Sequence, residues 1–569
     1  MKWFVLFLIA PLAACAIGCT ERRLVLPVGR EIRWTMHAPV ATLDPIRAGD
    51  TDSLQQIRMT YEGLYALDPS KTSADLVPNL AENLPEISDQ GKTLKIRLRK
   101  GVRFQDDAIF PGGKGREVRA RDFIESWKRL ADPRASAPAY WMIQDQIVGL
   151  EGWRDRIFEN PSAYDAEISG LVAPDDFTLE IRLMAPSPSL LQFLAHPASY
   201  VVPIEAVTKY GRAFAFHPIG TGPFILRVEE SSLNRSLVWV PNPSFRNPGV
   251  NLETSPSVIR FDVVTAPELE WEQLARGESD GLEVPADHLT KILNSERRLR
   301  KSLEKRGFHL EIAPRAEFLA LGFNQKSAWF AGRKNVRQAL SLSLSSELFN
   351  RAFFPENALV AEGPLPPASE GYDAGFRNPF RQFGLAQARD LLGKVDRKEA
   401  VLVIQQGTVE HRMALFVRDA LKSLGIDVEI RTVSASEWAQ KIQSSSTDLF
   451  FFSWRLDYPL AEAAFAPFHP VANVLPIGLT GTPAALFEQV WTELRRVSDA
   501  PKRKELAKRL MEFVTDECPV IFLNHPVSYV LVQGRVGSYR NHPFDFAAPP
   551  HWTVNPTQPR EVVSADDLR

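Results

Sequence analysis

Leu94, Ile96 and Leu98 alternate with Lys95, Arg97 and Arg99, and this period of two predicts a strand over residues 92–99 with one buried face and one basic face in water. Phe123, Ile124, Trp127 and Leu130 recur at helical spacing instead, predicting an amphipathic helix over 121–130 with Trp127 in the core. Further strands are expected at 178–183, 236–240 and 259–264, separated by turn clusters such as Pro241-Asn242-Pro243 and Gly220-Thr221-Gly222-Pro223. The second half is more regular. Residues 400–404 form an unbroken apolar run, Met413, Phe416, Ala420 and Leu421 follow at helical spacing up to Gly425, and 426–430 alternates again. Strand, helix and strand at that spacing predict a βαβ crossover with parallel strands. Another buried strand is expected at 449–454, after residues 437–442. Ligands of open α/β sheets bind beyond the carboxyl ends of the strands, and Asp457 stands three residues past Trp454.

The amino terminus changes the picture by setting a compartment. The apolar run 3–14 behind Lys2 contains Pro11 and is too short to cross a bilayer of about 30 Å, so it predicts an export signal. Leu12-Ala13-Ala14-Cys15 resembles the lipobox of bacterial lipoproteins, with Cys15 as the acylated residue; Ala16-Ile17-Gly18-Cys19 is a weaker second match, and acyl chains would form the anchor. Cys518 alone remains in the body of the chain, so no disulfide framework is expected there. At 569 residues the chain exceeds the roughly 250–300 at which one core stops growing, which predicts several domains. Hydrophobic residues at 44% and charged residues at 24% exclude a fibrous or largely disordered chain. Lys plus Arg 67 against Asp plus Glu 69 leaves a net charge of −2, with no global basic field for nucleic acid.

Several short motifs invite a catalytic reading. Gly277-Glu278-Ser279-Asp280-Gly281 matches the nucleophile elbow of serine hydrolases, which requires a strand before the serine and a helix after it. Here helix-like 267–275 precedes and strand-like 282–284 follows, so the motif reads as a helix-to-strand turn. Gly112-Gly113-Lys114-Gly115 lacks the spacing that cradles phosphates and reads as a surface hairpin. The histidines show no paired ligand spacing, so no metal or cofactor is expected. From spacing alone, Asp457 reads either as a ligand-facing carboxylate or as a turn residue before Pro459.

Across the mature chain a set of stretches resembles the extracellular solute-binding proteins of peptide ABC transporters, the oligopeptide-binding family. They are Leu43-Asp44-Pro45, Tyr61-Glu62-Gly63-Leu64, residues 94–104, Arg121 through Pro133, Gly220 through Phe224, Phe323-Asn324-Gln325-Lys326, Val336-Arg337-Gln338-Ala339-Leu340 and Trp454-Arg455-Leu456-Asp457-Tyr458. The resemblance implies an α/β, periplasmic-binding-protein-like fold of two lobes built from three domains, with the ligand enclosed between the lobes. The expected division is a signal peptide with lipobox at 1–19, a discontinuous domain I of 24–60, 185–283 and 526–569, an inserted domain II of 61–184, and a domain III of 284–525. A hinge is expected where the chain crosses near Gly281–Pro285 and Asn524–Pro526.

By the same resemblance Asp457 pairs with a peptide's α-ammonium, and the backbone of Ser453 and Arg455 extends along the ligand as an added strand. Gly49, Asp50 and Thr51 supply backbone hydrogen bonds from the facing lobe, while Lys326 and Trp454 line the cleft; Trp454 reads alternatively as core. His411 lies near a position that contacts a ligand carboxylate. Two departures stand out. Phe451 occupies the place where the best-known relatives carry a basic residue that neutralises a short peptide's carboxylate, and residues 105–118 replace a shorter loop, read as a surface insertion. The implied protein is a non-enzymatic, monomeric, membrane-anchored receptor at the periplasm or cell surface, with a membrane permease and its ATPase as partners. Alternatives are the same fold binding a nickel chelate, haem, cell-wall peptide or oligosaccharide, a signalling receptor, or a secreted hydrolase using Ser279.

Overall fold

The computed structural model describes residues 29–568, apart from 69–70, 72–74, 247–253, 395–396, 471–474 and 545–551. The export segment with Cys15 and Cys19 therefore lies outside the described residues. Among the described residues most strands gather into three sheets. The first holds Glu31–Met36, Val258–Val263, Ser236–Pro241 and Phe224–Leu226 in that order, its first pair parallel and the others antiparallel. The second is an antiparallel set of Glu86–Ser88, Thr93–Arg97, Thr178–Arg182 and Leu171–Asp175. In Thr93–Arg97 the alternation does what it predicts, burying Leu94 and Ile96 between more open neighbours.

The third sheet runs Gly281–Glu283, Val520–Val532, Glu317–Phe323, Leu449–Arg455, Glu399–Gln405 and Asp427–Val433. Its last two strands are parallel and are joined by the helix Thr408–Lys422, which is the expected βαβ unit. Gly425, at φ +75, closes that helix in the left-handed conformation that glycine adopts without a Cβ penalty. Val520–Val532 is one continuous strand. It pairs with Glu317–Phe323 through residues 520–524 and with His309–Pro314 through 527–532, so the crossing expected near Asn524–Pro526 falls inside a strand where its partner changes.

Buried polar contacts tie together stretches distant in sequence. Arg129 pairs with Asp44 at 2.7 Å, and Glu62 receives both Arg246 nitrogens at 2.6 Å and the Thr221 hydroxyl at 2.8 Å. A Cβ on Gly220 would lie 1.9 Å from the Thr60 carbonyl oxygen, so only glycine permits that turn to sit against the Tyr61-Glu62 segment. Arg337 is buried and gives its guanidinium to the carbonyls of Phe330, Glu517 and Cys518, while Asn324 gives its amide to those of Ile442, Ser444 and Thr447.

The segment 105–118 differs from a surface insertion. Lys114 is exposed and pairs with Asp106, but Gln105 is buried, accepting from the Thr60 hydroxyl and donating to the Pro218 carbonyl. Phe110 is also buried and stacks on Phe104. Gln105 and Phe110 within the insertion thus belong to the core, while Asp106, Ala108, Pro111, Gly112 and Lys114 face water.

Candidate functional site

Leu449–Arg455 ends between two cavities. Successive strand residues point to opposite faces, and here Arg455 lines a polar cavity of about 440 Å³ whereas Trp454 lines an aromatic one of about 600 Å³. On one edge this strand pairs along its whole length with Glu317–Phe323; on the other, pairing with Glu399–Gln405 covers only Leu449 and Phe450. Among the described strands, residues 451–455 therefore have one free edge.

Asp457 lies two residues beyond the strand. It comes against residues from the first part of the chain: the Trp141 indole N–H donates to its carboxylate, and His196 Nε2 lies 4.0 Å from Oδ1. Burial raises the Asp457 carboxyl from 3.8 to about 6, and the Trp141 hydrogen bond offsets only part of that rise. His196 supplies no compensating charge, because its own burial, with Arg58 nearby, pushes the imidazole down to about 3 and keeps it neutral near pH 7. A carboxylate with 33% of its side-chain surface open thus sits among neutral groups. Among the described residues no lysine or arginine lies within 4.0 Å of it.

The other expected residues separate into two groups. Thr51 and Arg455 are brought together, the guanidinium donating to the Thr51 hydroxyl at 2.8 Å while also pairing with Glu317 at 3.1 Å. Asp50 caps the helix Thr51–Thr60 by accepting from Ser53 N–H at 2.8 Å, and Gly49 packs closely on Pro138. Ser453 is exposed on the strand, opposite Leu319. Trp454 is half-buried, its indole N–H donating to the Ala463 carbonyl at 3.0 Å. Lys326 and His411 are not drawn into this cluster. Lys326 is exposed and donates to Gln443, and His411 is exposed on Thr408–Lys422. Phe451 packs against Phe349 in an apolar cluster.

Trp141 and His196 were not foreseeable from sequence. Each is far from Asp457 in the chain, and the only local signal is the aromatic pair Tyr140-Trp141. Ser279 is placed unlike a nucleophile. The helix Pro267–Ala275 precedes it and the strand Gly281–Glu283 follows, and its hydroxyl is buried without a hydrogen-bond partner among the described residues. Neighbouring Asp280 is engaged by Arg535 and Arg560, each at 2.8 Å, so the turn is a folding element.

The family model for the middle region of bacterial extracellular solute-binding proteins, family 5, matches residues 75–474. The chain belongs to this family. Its members are solute-binding components of ABC transporters and are typically not enzymes. A glutathione-binding protein, GsiB, of Salmonella paratyphi A is 25% identical over 551 residues, covering 91% of this chain and 92% of that one. Among solved structures, the murein tripeptide binding protein MppA of Escherichia coli superposes with a TM-score of 0.76 at 21% identity, over 92% of this chain and 98% of its own. DppA from Helicobacter pylori, in complex with the peptide STSA, gives 0.76 at 19% identity over 93% and 98%. These similarities show the two-lobed fold of periplasmic binding proteins. An unliganded open form of MppA superposes less well, at 0.66 over 93% and 98% with 21% identity.

Proposed function

We propose that this chain captures peptides between its lobes by their amino termini and delivers them to an ABC permease and its ATPase. The observation that carries this reading is Asp457, a largely buried carboxylate among neutral groups beside a free strand edge. Burying an unpaired charge is costly, and a ligand ammonium would remove that cost while adding a charge-assisted hydrogen bond. The free edge at residues 451–455 offers backbone N–H and C=O groups to any peptide, because main-chain pairing is independent of side chains. Ser453 and Arg455 would carry those bonds, with Gly49, Asp50 and Thr51 facing them.

The Thr51–Arg455 contact supports a lobe-closure reading, since it spans segments assigned to different lobes. The three-domain division and a hinge through Gly281–Pro285 and Asn524–Pro526 belong to this proposal, as do export, acylation at Cys15 or Cys19, and action as a periplasmic, membrane-anchored monomer. Glutathione, a tripeptide with a free α-ammonium, falls within the proposed ligand class, and the similarity to GsiB favours including it.

Mass spectrometry of ligands released from the purified protein tests the reading. Short peptides with free amino groups are expected; a metal chelate, haem or an amine-free sugar would overturn it.

A further inference from the structure

The aromatic cavity beside Trp141 and Trp454 contains a cation that has no ion pair among the described residues. Arg495, in the last turn of the helix Gly481–Arg496, lines this cavity with its guanidinium over the Trp491 ring, 4.7 Å from the centroid. Its Nη2 is buried without a hydrogen-bond partner among the described residues, and none of their carboxylates lies within 4.0 Å of it. Of the two acidic side chains lining the cavity, Asp145 is exposed, and Glu488 lies against His469, whose burial lowers its pKa, with no ion pair to Arg495 among the described residues. Arg496 adds a second exposed cation at the wall.

Trp141 joins this cavity to Asp457, because its ring lines the one while its N–H donates to the other. An ammonium held on Asp457 therefore leaves the first side chain of the ligand at the entrance of the cavity. We infer that the cavity receives that first side chain and that Arg495 selects an acidic one. The inference rests on the amino-terminal reading of Asp457. A guanidinium stacked on an indole is fixed in plane and stripped of water on one face, so a carboxylate gains a charge-assisted pair there that a neutral amide cannot match.

The test is calorimetric titration of Asp-Ala-Ala and Asn-Ala-Ala, each free and N-acetylated, into wild type, Arg495→Gln and Arg495→Lys. The wild type should prefer the Asp peptide by about tenfold or more, as expected for a hydrogen bond to a charged group. Arg495→Gln should abolish that preference while leaving Asn-Ala-Ala unchanged, and Arg495→Lys should retain part of it. Equal affinity of the two peptides for wild type, or equal weakening of both by Arg495→Gln, would overturn the inference. Acetylation reads Asp457 separately. If acetylated peptides bind as well as free ones but keep the Asp preference, the amino-terminal reading falls and selection by Arg495 stands; if none of the four binds, both fall.

Discussion

Two aspartates flank the same strand and meet opposite conditions. Asp448, immediately before Leu449–Arg455, is wholly buried and saturated: Arg397 donates at 2.6 and 3.0 Å, the Ser327 hydroxyl at 2.6 Å and the Val401 N–H at 2.8 Å. Asp457, just past the other end, has one indole N–H and a neutral imidazole for company. The first carboxylate satisfies the fold and has nothing left to offer a ligand. The second is left incomplete by the fold, and that is the condition a ligand ammonium would relieve in the proposed function.

The contrast predicts opposite phenotypes. Asp448→Ala strands Arg397, Ser327 and Val401 at once and should cost about 3 to 4 kcal/mol of stability in denaturant unfolding, with the folded fraction binding peptide as before. An unchanged unfolding midpoint would erase the distinction. Asp457→Ala should do the reverse, losing about 2 to 5 kcal/mol of peptide affinity with stability maintained. In the ligand-free protein Asp457→Asn should even stabilise slightly at pH 7.5, because it removes a buried charge without an ionic partner.

The pH dependence sharpens the same comparison. The folded-state value of Asp457, about 6, lies above the ordinary 3.8, so its penalty is absent below pH 4, grows between pH 4 and 6, and is complete above 6. Its size is bounded at about 3 kcal/mol and reduced by water on the exposed part of the side chain. Stability of the ligand-free protein at pH 4 to 6 should therefore fall more with rising pH in wild type than in Asp457→Asn. Binding shows the opposite sign. An ammonium needs the ionised carboxylate, so affinity for a tripeptide should weaken about tenfold per pH unit below 6, until the pKa of the bound state is reached. Affinity independent of pH between 5 and 7 would contradict this. The smallest effect expected is that of Ser279→Ala, which removes a buried hydroxyl with no partner among the described residues and should shift stability by less than about 1 kcal/mol, leaving binding intact.

How much of this was legible in the sequence follows from the range of each interaction. Period-two and helical patterns report local burial, so Thr93–Arg97, Ala120–Ala131 and the βαβ unit around Thr408–Lys422 appear close to where the patterns place them. The insertion 105–118 was misread because its buried members, Gln105 and Phe110, are held by Thr60, Pro218 and Phe104, contacts that no local pattern encodes. Asp457 was legible as a position, through its place past a strand and its motif. Its electrostatic condition was not, since Trp141 and His196 reach it only in the folded chain, and the same holds for Arg495, which has no ion pair among the described residues.

The central claim is that Asp457 is kept incomplete for a ligand ammonium. The direct measurement is isothermal calorimetry of one tripeptide, free and N-acetylated, against wild type and Asp457→Asn at pH 7.5. Acetylation should weaken binding to wild type by at least about thirtyfold, in line with the loss expected for one partner of a buried charge pair, and should make little difference to Asp457→Asn. Equal affinity of wild type for the free and acetylated peptides would contradict the account.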